Sequence, residues 1–126
     1  MILVTLLLAT TAVLALVAPC GAARLYVASK DVVTVLSLAD AGGNHSLKEE
    51  YTKNDCGRAP VWLTLDRPSR LLYCFDENVE SNGTISAYKA PKDGQLERVD
   101  QLPTPNGPVS GAVYGHKPKP AIVVAN

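Results

Sequence analysis

The chain has 126 residues, 47% hydrophobic and 19% charged, and its 12 basic and 12 acidic side chains cancel. With no long run of one sign, it lacks the electrostatic footprint of a nucleic-acid reader, and no nucleic-acid partner is expected. Its two histidines, His45 and His116, stand far apart without metal-ligand spacing, so the sequence predicts solvated loop histidines, no metal site and no cofactor.

The first element is a leader. No charged side chain precedes Arg24, and the run from Ile2 to Ala18 is apolar apart from Thr5, Thr10 and Thr11. Gly21-Ala22-Ala23 offers small residues for cleavage before Arg24, so residues 1–23 read as a secretory signal peptide and 24–126 as the mature chain. A membrane anchor is the competing reading, but a spanning helix needs about 20 apolar residues, and this run stops at Pro19 and Gly21. Pro19 also makes Cys20 a poor lipid-attachment site. The expected location is therefore extracellular, with no membrane contact after cleavage.

Helix signals are nearly absent from the rest, where short runs rich in Val, Leu, Tyr and Thr alternate with turn residues. "RLYVAS" (24–29) and "VVTVLSL" (32–38) read as strands, "AGGNHS" as a loop, and "LKEEYT" (47–52) as a more polar strand. After the "CGRAP" turn, Pro60 leads into "VWLTLD" (61–66), where Val61, Leu63 and Leu65 share a face. "RLLYCFD" (70–76) is apolar on both faces, as an interior strand should be. "NVESNG" reads as a hairpin loop whose Asn-Gly pair tolerates positive φ. "TISAYKA" (84–90) follows, then a turn at Asp93-Gly94, the polar strand "QLERVDQL" (95–102), the Pro-Val lead-in "GPVSGAVYG", and "AIVVAN" (121–126).

Two features agree with an oxidising compartment. Once Cys20 leaves with the leader, Cys56 and Cys74 remain, and an even count in a secreted chain predicts one disulfide. Neither has a nearby histidine or a C-x-x-C partner, so the structural reading is preferred to a reactive thiol. Sequons at Asn44 ("NHS") and Asn82 ("NGT") predict N-glycosylation in exposed turns.

The runs repeat. "RLYVAS…VTVLSL…SLKEEYT" aligns with "RLLYCFDE…TISAYKA…GQLERVDQL", and "AIVVAN" starts the same apolar strand again, at offsets close to fifty from Leu25 to Leu72 to Ile122. "APVWLTLD" and "GPVSGAVYG" lead into successive copies. Four strands per unit, innermost first and most polar last, predict an all-β fold of β-propeller blades. The mature chain starts at the second strand of a unit and ends one apolar strand into another. Since a ring needs roughly four to eight blades, the expectation is a propeller fragment of about two blades.

"LYVAS", "PVWLTLD…RLLYCFDE", "NGTISAYKA", "DGQL" and "TPNGPVSGAVYG" together resemble the opening of the seven-bladed lactonase family. Its members include a bacterial-type 6-phosphogluconolactonase and the fungal carboxymuconate cyclases, and the secreted form is most similar to the fungal branch. The resemblance covers residues 24–126 and implies a small-molecule lactone or muconate as substrate. It also implies catalytic histidine, arginine and glutamate residues on middle blades, expected downstream of Asn126. Neither His45 nor His116 sits in a matching motif.

Three local candidates remain. Asp76 and Glu77 end the most apolar strand, where side chains can face a propeller mouth, though turn chemistry and solvation are the preferred reading. Trp62 follows the Pro entry into an inner strand and can line a pocket, but packing between blades, with a buried ring and a satisfied N–H, is the preferred reading. Arg58 can present a guanidinium to a phosphate, but a solvated loop arginine is preferred. Open strand edges predict self-association, dependence on the disulfide and weakest order at "AIVVAN".

Overall fold

The structure is a computed structural model that describes residues 23–78, 80–115 and 121–125. Residues 1–22 of the expected leader, Cys20 among them, lie outside the described residues, as do His116 and Asn126. Among those described, there is no helix, and nine strands form three antiparallel sheets of three, four and two strands.

The first sheet runs β1(Ala23–Ser29), β2(Val32–Ala41) and β3(Asn44–Lys53), in that order. Asp31 closes the first hairpin at φ 66°, a conformation that aspartate tolerates. The second hairpin corrects the sequence reading of "AGGNHS" as loop. Ala41 pairs with Asn44, so Gly42 and Gly43 alone make the turn. Their φ values of 64° and 93° supply the two positive angles that a two-residue hairpin demands, and Asn44, His45 and Ser46 join the strand. Val35 faces Tyr51 and Leu36 faces Glu49, which leaves Glu50 bulged out of register.

The second sheet is one complete four-stranded unit: β4(Pro60–Asp66), β5(Leu71–Asp76), β6(Thr84–Lys89) and β7(Glu97–Pro103). β5 begins one residue later than expected because Arg70 turns at φ 56°. Its carbonyl then accepts the Ala90 amide at 2.8 Å, which ties the two turns at that end together. In the β5–β6 loop the positive φ falls on Asn78, not on Asn82-Gly83. Gly83 is needed for closeness instead, since a Cβ there would lie 2.3 Å from Pro108 Cδ and 2.4 Å from the Asp76 carbonyl oxygen. β8(Ser110–Tyr114) and β9(Ala121–Ala125) form the third sheet.

β5 is buried on both faces, as its sequence requires. Leu72 and Cys74 face the first sheet, where they join Val33, Val35, Tyr88 and Leu96 in the core, with Tyr26, Tyr51 and Leu63 packed around it. Phe75 points the other way: a Cβ on Gly111 of β8 would come within 2.3 Å of its ring. The core thus lies in the seams between sheets, and β3 and β7, the outermost strands, are largely exposed.

Candidate functional site

The candidate site is the end of the second sheet where β5 runs out at Asp76, because most of the sequence candidates meet there. The segment 54–59 runs along the sheet from Tyr88 toward this end before entering β4, and three kinds of contact hold it. A disulfide joins Cys56 to Cys74 of β5, with both cysteines fully buried. The Cys56 carbonyl accepts the Thr84 and Ser86 hydroxyls at 3.3 and 3.5 Å. Asp55 accepts the Tyr88 phenol at 2.9 Å and pairs with Lys53 at 3.4 Å, while its carbonyl accepts Arg98 at 2.7 Å.

Asp76 corrects the expectation of a solvated turn carboxylate. It is only 3% exposed, and its Oδ1 accepts the Ala59 amide at 2.7 Å. The Glu77 amide donates back to the Ala59 carbonyl at 3.0 Å, so segment 54–59 is clipped to the strand end by a reciprocal pair. Glycine is obligatory beside it. Gly57 lies at φ 149°, and a Cβ there would stand 2.1 Å from the Asp76 carboxylate. Gly107 likewise leaves no room for a Cβ, which would fall 2.2 Å from the Glu77 carbonyl oxygen.

Arg58 is solvated, as expected: its guanidinium is 80% exposed and stands 3.9 Å from Glu80. At that exposure and distance the pair adds little to stability. Trp62 keeps half of its reading. Its Nε1–H is shared between Thr64 Oγ1 at 3.0 Å and the Gly111 carbonyl at 2.9 Å, a link from β4 to the third sheet. The residue, however, is 46% exposed rather than sealed between blades, because β4 is an inner strand with no further layer of the described chain in front of it. His45 is not part of this end: it sits in the β2–β3 hairpin, 3.8 Å from Asp40.

Burial pushes the Tyr88 phenol far above the ordinary tyrosine range, and its hydrogen bond to Asp55 adds to the shift. Tyr26 and Tyr73 are raised mainly by burial as well. These phenols are neutral donors at physiological pH and supply no base. Asp76 has one oxygen committed to an amide. The end therefore works as a clamp that fixes loops, and among the described residues no nucleophile is paired with a base there. Among the described residues, no group of three or more His, Cys, Asp or Glu could hold a metal ion.

Sequence reasoning did not single out Asp55, Gly57 or Arg24. The first two stand beside Cys56 and were open to notice as turn chemistry. Arg24 bonds to residues some seventy positions away, and no local signal marks it.

Comparison with curated proteins finds no match, and comparison with solved structures finds none either. A family model described as "Lactonase, 7-bladed beta-propeller" matches residues 24–126. That span begins in β1, includes the one complete four-stranded unit and runs through β9, so the chain belongs to the seven-bladed β-propeller lactonase family.

Proposed function

We propose that the chain supplies scaffold blades to a secreted lactonase-type protein that resembles 6-phosphogluconolactonase and opens a sugar lactone with water. The family match over residues 24–126 carries this reading. Lactone opening needs a base to activate water and donors or cations to hold the developing oxyanion. The Asp76 end offers a structural clamp, and His45 pairs with Asp40 on an outer hairpin. The proposal accordingly assigns the catalytic groups to blades that follow Asn126.

A second reading, a carboxymuconate cyclase-type isomerase, is favoured by the leader, since a phosphorylated sugar lactone is a cytosolic substrate. A third, a non-catalytic secreted glycoprotein, draws on the clamp-like character of the Asp76 end. Assays with 6-phosphogluconolactone, gluconolactone and carboxymuconate separate them. Residues 1–126 alone are expected to be inactive, and the same chain joined to further blades is expected to turn over one of the three. Turnover by residues 1–126 that a change at Asp76 or Glu77 abolishes would overturn the assignment.

A further inference from the structure

At the opposite end of the second sheet from Asp76 lies a cavity of about 660 Å³ between the two larger sheets, bounded by β1, the β4–β5 turn and the segment after β6. That volume is typical of small-molecule sites. Its frame is rigid. The Arg24 guanidinium donates to the Pro91 and Gly94 carbonyls at 3.2 and 2.8 Å and pairs with the bulged Glu50 at 2.9 Å. One side chain thus pins segment 91–94 to the first sheet and has its own charge cancelled.

Three further cations line the cavity: Arg67, Arg70 and Lys92. All three are exposed, and among the described residues none has an ion-pair partner within salt-bridge distance. Among the described residues Asp93 is the one lining carboxylate besides Glu50, so three positive charges face one negative and leave a surplus of two. Leu65, 40% exposed, and the half-buried Tyr26 give the same cavity an apolar wall.

We propose that this cavity is a binding site for a phosphate monoester carried on an apolar body. A phosphate monoester bears a charge of about −1.5 to −2 at neutral pH, which matches the surplus, and arginine forks suit its oxygens. The carbon body lies along Leu65 and Tyr26. The site stands without the lactone-opening activity proposed above, because it uses only residues of this chain, whereas that activity is assigned to blades that follow Asn126.

The test is calorimetric titration of phenyl phosphate into the full chain at low salt, beside inorganic phosphate and benzoate. One site is expected, with phenyl phosphate at least tenfold tighter than either probe. The R67Q/R70N pair, in which asparagine tolerates the positive φ at position 70, is expected to weaken it at least tenfold. On the unaltered chain, amide NMR shifts should centre on residues 65–70 and 90–94. Equal binding of benzoate, unchanged affinity in the folded double variant, or shifts centred elsewhere would each overturn the site. No lactone enters these measurements, so their failure is distinct from failure of the proposed activity.

Discussion

The Asp76 carboxylate accepts the Ala59 amide at 2.7 Å from a position almost sealed from solvent. An amide buried without its acceptor costs about 1–3 kcal/mol, so Asp76→Ala is expected to destabilise the fold by that amount. Asp76→Asn keeps an acceptor oxygen and should cost less. Gly57→Ala should cost at least as much as Asp76→Ala, since its Cβ meets the carboxylate at a strained φ. Urea denaturation of the three variants checks the order.

Cys56 and Cys74 close a loop with a sequence separation of 18, for which the chain-entropy model gives about 3 kcal/mol. The double variant Cys56→Ala/Cys74→Ala should lose about that much stability, seen as a lower urea midpoint. The loss should match that of the fully reduced wild-type chain. A midpoint unmoved by either change would show that the clamp holds without its covalent link.

Tyr88 is fully buried, and its phenol is held above the usual tyrosine range by burial and by Asp55. In the unfolded chain a tyrosine ionises near pH 10. The folded state therefore keeps a proton that the unfolded state releases, and this contribution is complete below that pH and lost as pH rises through the folded-state value. Denaturation between about pH 9 and 11.5 should show stability falling with pH, with a shallower slope in Tyr88→Phe. The slope that remains belongs in part to Tyr26 and Tyr73, which are raised too.

β1 has β2 on one side and no strand among the described residues on the other, and it exposes Leu25 and Val27 at 40% and 44%. An open, apolar edge of this kind templates pairing between chains. Light scattering is expected to report species larger than one chain at micromolar concentration. Val27→Lys should shift them toward monomer, and a wild-type chain that stays monomeric at all concentrations would remove edge pairing as a property.

Asn44 and Asn82 are both exposed. Expressed in a eukaryotic secretory host, the chain is expected in the medium, beginning at Arg24 and carrying a glycan at each sequon. Asn44→Gln and Asn82→Gln should each remove one glycan mass. Retention in cells with an intact leader would contradict the secretory reading.

Much of the fold was legible in the residues. The apolar run of "RLLYCFD" marked a strand buried on both faces, the offset near fifty marked the repeat, and the pair Cys56 and Cys74 marked its own bond. These signals are local, or repeat at a fixed interval, because strand alternation and turn chemistry act over a few residues. The Gly42-Gly43 turn was equally local and was missed only because six polar or small residues resemble a longer loop.

What tertiary structure alone decided has a different range. Nothing near Asp76 in sequence marks it as buried; that follows from segment 54–59 folding over it and placing the Ala59 amide within 2.7 Å. Nothing around Arg24 marks Pro91 and Gly94 as its acceptors, nor Arg67, Arg70 and Lys92 as neighbours around one cavity. Burial and the gathering of charge depend on how whole sheets stack. Periodicity specifies each sheet's faces, but only the packed arrangement sets which polar groups meet between them.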